Sequence, residues 1–381
     1  MATRSWKLFL VAALTVPAPY CFGGAVAVAP QVSSPSAADF TADAGPNTNP
    51  AYLQVYDANV ENLPTSDEDD PETCRGDWHD LMYFMRLQSL KPDVYLVQQL
   101  NNRAQLDLLL TRMEEHFGEE YEGVLAENDP EPSTGHGECE NYKIRQTNAV
   151  IWRADRLELV MSAAPDNRWQ AQAYLPPPSS PDGARSCRNN DQARTKGVKA
   201  LLHDKISGKE VTAASFHWRT HTYGHQCVMS NATELSSELT EDGYGGADLF
   251  LAGGDSNNGD SSRFGEAAWT PWYEAINGDL GGAHEFRDAA YAGCLDPDPA
   301  RVAACLKAKD VWTLWDRAGG KDPRRIDFLL GRKPGGAPPT MTNVVVPTFD
   351  EGDQADVDLT GTDERTLDYS DHRAVGARVH Y

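Results

Sequence analysis

The sequence contains a series of short apolar segments, several of which end in polar residues. Segments of this length, rich in β-branched and aromatic residues, predict buried strands. Predicted helices separate some of these strands, whereas other strands follow one another directly. That order predicts a mixed α/β domain built in layers, and the spacing is too irregular for a parallel (β/α)₈ barrel. The predicted strands are YLQVYDANV, DVYLVQQ, NAVIWR, VKALLHD, EVTAASFH, DLFLAGGD, RRIDFLLG, NVVVP and AVGARV.

Helical spacing of apolar residues predicts the intervening helices. The segments are DWHDLMYFMRLQSL, RAQLDLLLTRMEEHF and EAAWTPWYEAI, the last of which contains Pro271. The segment DPDPARVAAC predicts a capped turn that leads into a short helix.

The first residues have the features of an export signal. Arg4 and Lys7 precede an apolar run that Pro and Gly interrupt and that ends in small residues. We therefore expect a signal peptide over residues 1–29, a flexible linker over 30–48 and one domain over 49–381. No later segment approaches the ~20 apolar residues of a membrane span. The expected protein is secreted to the extracellular space, has no stable membrane anchor and is a monomer.

The charge of the chain is strongly negative. The net charge is −23, and removal of residues 1–29 leaves 32 basic and 57 acidic residues, a charge of −25. Solubility alone accounts for an acidic surface. The composition lacks the overall positive charge of most nucleic-acid-binding proteins, so a phosphate-bearing substrate would need a metal ion to screen it.

The cysteines indicate disulfides. Six of the seven remain once Cys21 is removed, and an even number in an exported chain predicts three disulfides with 15 possible pairings. Cys294 and Cys305 are the expected local pair because they close a compact loop. No CxxC motif is present, which argues against a zinc site.

Polar residues at the strand ends are the candidate functional residues. Singly, Asp and Asn after a strand are usual turn residues. Together they provide oxygen ligands for a hard divalent ion such as Mg²⁺ and His–Asp pairs for proton transfer, which is the chemistry of phosphate-ester hydrolysis. The residues are Asp57, Asn59, Glu61, Asn62, Gln98, Gln99, His217, Asp255, Asn257, Asp327, Asp371 and His372.

The order of these motifs resembles that of the endonuclease/exonuclease/phosphatase superfamily. GDSN is similar to the G-D-x-N motif of the family and YSDHRAV to its S-D-H motif, and the resemblance runs from Tyr52 to Val379. It implies two packed mixed β-sheets flanked by helices, a four-layer sandwich. It also implies Mg²⁺ or Mn²⁺ as the cofactor and a phosphodiester substrate, DNA or RNA, with a phospholipid head group as another possibility.

The resemblance also implies residue roles. The implied catalytic residues are His217 at the phosphate and leaving group, Asp255 and Asn257 at the attacking water and phosphate, and His372 oriented by Asp327. The implied metal-side residues are Asn59, Gln99 and Asp371.

Two positions depart from the family pattern. Gln99 stands where the main metal-binding Glu is expected, and a neutral amide should bind Mg²⁺ more weakly. Gln146 falls where a Glu would face His217, so His217 should be less basic. These departures leave a second hypothesis open, in which the chain is a non-catalytic relative that binds a phosphate ligand. A third keeps the enzyme but gives it a phospholipid or a small phosphomonoester as substrate.

Overall fold

The computed structural model describes residues 45–60, 91–131, 145–160, 167–171, 193–219, 225–241, 243–314, 322–346 and 372–381. The signal peptide, the predicted helix DWHDLMYFMRLQSL, Glu61, Asn62 and Asp371 lie outside these residues. The strands are β1 (Tyr52–Asn59), β2 (Val94–Leu100), β3 (Tyr121–Leu125), β4 (Thr147–Arg153), β5 (Leu157–Leu159), β6 (Arg168–Gln170), β7 (Lys196–Asp204), β8 (Lys209–His217), β9 (Leu249–Asp255), β10 (Arg287–Asp288), β11 (Asp327–Arg332), β12 (Met341–Val345) and β13 (Val375–His380). The α-helices are α1 (Arg103–Phe117), α2 (His225–Thr240), α3 (Pro271–Ile276), α4 (Ala289–Ala292) and α5 (Pro299–Ala308).

The strands form two mixed sheets. The first has the order β12-β13-β1-β2-β4-β3, and the second has the order β10-β11-β9-β8-β7-β5, with β6 also paired to β7. The pairs β1–β2 and β8–β9 are parallel, whereas the other pairs are antiparallel. The prediction of two mixed sheets is therefore confirmed.

The sheets pack face to face, with a helix against each outer face. Alternate residues of β1, β2, β4, β7, β8 and β9 form the apolar layer between the sheets. The apolar side of α1 covers the outer face of the first sheet, and α2 and α3 cover the second. Asn102 caps the start of α1, where its side chain accepts from the Gln105 amide, and Gly118 caps its end in a left-handed conformation. The predicted four-layer sandwich is confirmed.

Three details differ from the predictions or go beyond them. Helix α3 begins at Pro271 and not at Glu266, because proline fits the first turn of a helix but not its interior. Helix α2 was not predicted. The domain also begins before residue 49, since Asn47 is buried and its Nδ2 donates to Asp93 Oδ2 at 2.6 Å.

The expected disulfide between Cys294 and Cys305 is present, with the two Cα atoms 5.7 Å apart. It joins the segment after α4 to α5, whose N-cap is Asp298 as the capped-turn prediction requires. Within the described ranges, no helix is both long and apolar enough to cross a membrane.

Candidate functional site

The candidate site lies at the rim where the inner faces of the two sheets change from apolar to polar. Strand residues alternate between faces, so every second residue points into the space between the sheets. Leu53 and Val55 on β1 are such residues, and Leu249 and Leu251 are their counterparts on β9. Near one end of each strand, the residues that point between the sheets are polar. These rim residues are Asn59 on β1, Gln98 on β2, His217 on β8, Asp255 on β9 and Asp327 on β11.

His372 and Asp327 form a buried pair. Nδ1 of His372 lies 2.9 Å from Oδ2 and 3.0 Å from Oδ1 of Asp327. A carboxylate in this position accepts a hydrogen bond from Nδ1–H and so leaves Nε2 of the neutral ring as an acceptor. Nε2 faces Asn59 Nδ2 at 3.5 Å and Asp255 Oδ2 at 3.9 Å. The imidazole is therefore held in one orientation, with Nε2 toward the other site residues.

Asp255 is at the centre of the cluster. Its Oδ2 accepts from Asn59 Nδ2 at 3.1 Å and lies 3.4 Å from His217 Nε2, while its Oδ1 accepts from the Asn257 amide at 2.7 Å. Burial, and then the negative charge of Asp327, raise the pKa of Asp255 to about 7. A carboxyl group with this pKa can gain or lose a proton at neutral pH.

His217 is a neutral imidazole in this environment. Burial is the main reason that its pKa lies well below the usual value, and the positive charge of Arg194 lowers it further. Its Nδ1 is buried and has no hydrogen-bond partner. The lowered pKa makes His217 weakly basic, although a carboxylate oxygen, Asp255 Oδ2, lies 3.4 Å from its Nε2.

Gln99 and Gln146 are hydrogen-bonded to each other. Gln146 Nε2 donates to Gln99 Oε1 at 2.9 Å. Gln99 has a φ of 62°, and Asn257 has a φ of 53°. The left-handed region is unfavourable for non-glycine residues by the order of 1–3 kcal/mol, and such residues occur often at functional sites. At Gln99 this conformation coincides with an irregularity in the β2–β4 register between Val97 and Leu100.

A second buried network connects the rim residue Gln98 to Asp57 and Ser215, which lie deeper between the sheets. Gln98 Nε2 donates to Asp57 Oδ1 at 2.8 Å and to Ser215 Oγ at 3.0 Å. Asp57 Oδ2 is buried and has no partner, and burial followed by the charge of Asp327 raises the pKa of Asp57 well above its usual value. A Cβ atom on Gly253 of the opposite sheet would lie only 2.6 Å from Asp57 Oδ1, so this carboxyl group fits because position 253 is glycine.

Ser215 was not assigned to the site from the sequence, whereas Asp57 and Gln98 were assigned only as polar residues near a strand end. Strand alternation places all three on the face of the site. Asp57 and Ser215 lie two positions before Asn59 and His217 on the same strands, and Gln98 pairs with Asn59 on the neighbouring strand. Of the predicted set, the structure brings together Asn59, His217, Asp255, Asn257, Asp327 and His372, and it places Gln99 against Gln146.

Solved structures resemble this one over most of the chain. A protein titled an endonuclease/exonuclease/phosphatase from Bacteroides vulgatus gives a TM-score of 0.51 at 16% identity, covering 86% of this chain and 98% of its own. A mannosyl-6-phosphatase from Bacteroides thetaiotaomicron gives 0.51 at 16% identity, covering 86% and 100%. D. rerio TDP2 complexed with a single-strand DNA product gives 0.51 at 14% identity, covering 87% and 99%.

The chain has the endonuclease/exonuclease/phosphatase fold. No protein-family model and no curated protein sequence matches it. The expected fold is thereby confirmed, whereas the chemistry rests on the residues of this chain.

The residues of this endonuclease/exonuclease/phosphatase fold suit a divalent cation. Asp255, Asp327 and His372 each offer a ligand atom within 4.8 Å of the others. Asp57 Oδ2 is buried without a partner, and burial, followed by the negative charge of Asp327, raises the pKa of Asp255, so these carboxyl groups lie in a dry site with little to balance their charge. A bound cation would balance that charge. The amide at Gln99 supplies one neutral oxygen where a carboxylate would add charge.

Proposed function

We propose that the protein is a divalent-metal-dependent phosphoric ester hydrolase that cleaves phosphodiesters, with DNA or RNA as the substrate class. The observation that supports this is the arrangement of His372, oriented by Asp327, opposite Asp255 at one rim of the sandwich. The names of solved neighbours, a mannosyl-6-phosphatase and a TDP2 bound to a DNA product, support a phosphate-ester substrate at the coarse level.

Each residue has a role that its contacts allow. Asp255, with a pKa of about 7, accepts a proton from the attacking water, which the Asn257 side of the site helps to position. In its protonated form His372 donates from Nε2 to the phosphoryl group or the leaving oxygen, because Asp327 fixes the ring through Nδ1 and stabilises its positive charge. Asn59 Nδ2 donates a hydrogen bond to the phosphate from the same side of the site. Mg²⁺ or Mn²⁺, held by Asn59, Gln99 and Asp371 with the acidic cluster nearby, would neutralise negative charge on the phosphate.

Basic groups near the site favour a charged diester. Arg194 lies close enough to His217 that its positive charge lowers the pKa of His217. Burial lowers the pKa of Arg194 itself, and the negative charge of Asp255 partly offsets that effect. Arg219 is close to Arg194. Two arginines near a site in a chain of net charge −23 provide local attraction for a phosphate backbone.

The phospholipid alternative has little support from the surface. Trp272, Tyr273 and Ile276, in the segment WTPWYEAI, are buried in the core against the second sheet. In the described part of the chain, the exposed large apolar residues are Ile206, Met229 and Leu295, which belong to three different segments. We retain export of the protein as part of the proposal, on the basis of residues 1–29.

The second candidate function is a non-catalytic phosphate-binding protein. The Gln99–Gln146 pair is the observation that favours it, because a neutral amide stands at the metal-binding position and its oxygen already accepts a hydrogen bond.

The test is cleavage of plasmid DNA and of bis-p-nitrophenyl phosphate by the purified protein with its disulfides formed, across a Mg²⁺ and Mn²⁺ titration. His372→Ala should abolish turnover, and His380→Ala, a change near the other end of β13 where His380 contacts Thr342, should not. Metal-dependent turnover lost only in His372→Ala supports the hydrolase. Absence of turnover with both substrates, together with turnover in Gln99→Glu, supports the non-catalytic alternative.

A further inference from the structure

A cavity of about 800 Å³ lies beside the candidate site. One wall is formed by residues 257–271, which follow β9, and the other by residues 322–325, which precede β11. Asn257 lines the cavity and also donates its backbone amide to Asp255 Oδ1. The cavity therefore begins where the catalytic cluster ends.

Backbone pairing gives the distance between the cavity and His372. Leu314 forms β-bridges with both His372 and Arg324, so it lies between them. Neighbouring strands are about 4.8 Å apart, which places the backbones of His372 and Arg324 roughly 10 Å from each other. A group joined to a phosphate at His372 by a few bonds can reach the cavity.

The walls of the cavity are held by a buried ionic network. The Arg325 side chain is 1% exposed, and its Nε donates to Asp260 Oδ2 at 2.8 Å. Its other nitrogens donate to Asp288 at 2.5 Å and to Tyr273 Oη at 2.9 Å. The same loop is fixed by Trp272, whose Nε1 donates to the Gly259 carbonyl at 3.0 Å. These contacts hold the loop after β9 in place, so the cavity between this loop and the start of β11 has fixed walls.

The lining combines aromatic rings with arginine side chains. Phe264 and Trp269 are half-buried, and Trp269 contacts the rings of Tyr273 and Tyr291 at centroid distances of 5.6 and 5.9 Å. Arg263 pairs with Asp322 at 3.3 Å.

Arg324 is exposed at the side of the cavity nearest the catalytic cluster, and no acidic group among the described residues pairs with it. Ser261 and Ser262 add polar groups to the lining, which suits an aromatic anionic ligand better than an acyl chain. Pockets of 300–1,000 Å³ bind small molecules.

We propose that this cavity binds a nucleoside joined to the scissile phosphate, with its base against Phe264 and Trp269 and a flanking phosphate on Arg324. The inference rests on the proposed function and names its substrate class. A sugar phosphate without a base would leave both aromatic rings uncovered. The nucleoside can belong to a nucleic-acid strand or to a free nucleotide.

The test is equilibrium binding by calorimetry to the full chain in EDTA, with three probes: adenosine 5′-monophosphate, ribose 5-phosphate and inorganic phosphate. Because base–aromatic stacking contributes about 1–3 kcal/mol per base, the nucleotide should bind at least about tenfold more tightly than ribose 5-phosphate. Phe264→Leu should reduce that ratio. Arg324→Gln should weaken binding of a four-nucleotide single strand, which carries a phosphate flanking the scissile one, and Arg103→Gln, on α1 against the other sheet, should change neither this affinity nor the ratio.

Two results would overturn the inference: equal affinity for the nucleotide and ribose 5-phosphate, or an unchanged ratio in Phe264→Leu that retains the wild-type melting temperature. A four-nucleotide single strand that binds more tightly than the mononucleotide indicates a nucleic-acid source, and equal binding indicates a free nucleotide. Turnover is not needed for these measurements. Cleavage of bis-p-nitrophenyl phosphate without base-dependent binding would reject the subsite and keep the hydrolase.

Discussion

Replacing Gln99 with glutamate should convert a weak metal site into a strong one. Gln99 is 8% exposed, and its Oε1 accepts one hydrogen bond, from Gln146. One added negative charge about 4 Å from a divalent ion is worth at most about 8 kcal/mol at an effective dielectric constant near 20. The charge also has a cost that Asp255 allows us to gauge, because raising the pKa of Asp255 from 3.8 to about 7 corresponds to about 4 kcal/mol.

The difference leaves a ceiling of about 4 kcal/mol, from which loss of ion hydration must be subtracted. We therefore expect Gln99→Glu to bind Mn²⁺ about tenfold to a hundredfold more tightly than the wild type. Without metal, the same variant should be less stable to urea, because position 99 is 8% exposed and burial of an unpaired carboxylate is unfavourable. Saturating Mn²⁺ should restore stability by mass action.

The measurement is Mn²⁺ affinity by titration calorimetry, paired with urea denaturation in EDTA and in Mn²⁺. Gln98→Glu is the matched control, since it makes the same chemical change one residue earlier. There the new carboxylate would face Asp57 Oδ1, now 2.8 Å from Gln98 Nε2, and should destabilise the protein with or without metal. Unchanged Mn²⁺ affinity in Gln99→Glu, or equal behaviour of the two variants, would refute the reasoning.

Three further changes have definite expected outcomes. Gly253→Ala should lower the free energy of unfolding in urea by about 1–3 kcal/mol, because its methyl group would lie 2.6 Å from Asp57 Oδ1. Asp255 has a folded-state pKa of about 7, above its unfolded value, so the folded state binds more protons between about pH 4 and pH 7. Stability in EDTA should therefore fall as pH rises through that window, and this fall should be smaller in Asp255→Asn. Asp327→Asn should reduce kcat by about 10²–10⁴ with little change in the far-ultraviolet circular dichroism, because the amide no longer holds the His372 ring as a charged acceptor; a kcat within twofold of the wild type would exclude this role.

The sheets could be predicted because their strands are marked by local signals. Apolar runs with alternating faces and polar residues at one end describe β1, β2, β8, β9 and β11 without knowledge of the fold. Parallel pairing of β1 with β2 and of β8 with β9 then puts equivalent strand ends at one rim. For this reason the residues at strand ends could be recognised as candidates for one site.

Helix α2 could not be predicted because its sequence is rich in residues with low helix propensity. Ser, Thr and Asn compete with the helix for backbone hydrogen bonds. In the structure the hydroxyl groups of Thr233 and Ser237 donate to carbonyls four residues earlier, those of Met229 and Thr233. Packing of Val228, Leu235 and other residues against the second sheet supplies the stability that propensity does not.

The partners of the site residues were beyond reach of the sequence. Nothing in the sequence indicated that the Gln146 side chain donates to Gln99, 47 positions earlier in the chain. Arg325 was not singled out at all, although its contacts with Asp260 and Asp288 build the cavity wall. Such pairs depend on which loops meet in space, and no local pattern encodes that.

The two glutamines have one physical effect on the site when they are considered together. Asp57, Asp255 and Asp327 are already buried near one another, and burial, followed by the charge of Asp327, raises the pKa values of Asp57 and Asp255. A glutamate at position 99 would add a further charge to be neutralised, whereas the Gln99 oxygen accepts a hydrogen bond from Gln146 without any ion. With glutamine at position 99, the metal-free protein is more stable than it would be with glutamate, and metal binding adds less to the free energy of unfolding. The same replacement that weakens metal affinity should therefore make folding less dependent on metal, which the paired urea measurements on Gln99→Glu and the wild type compare directly.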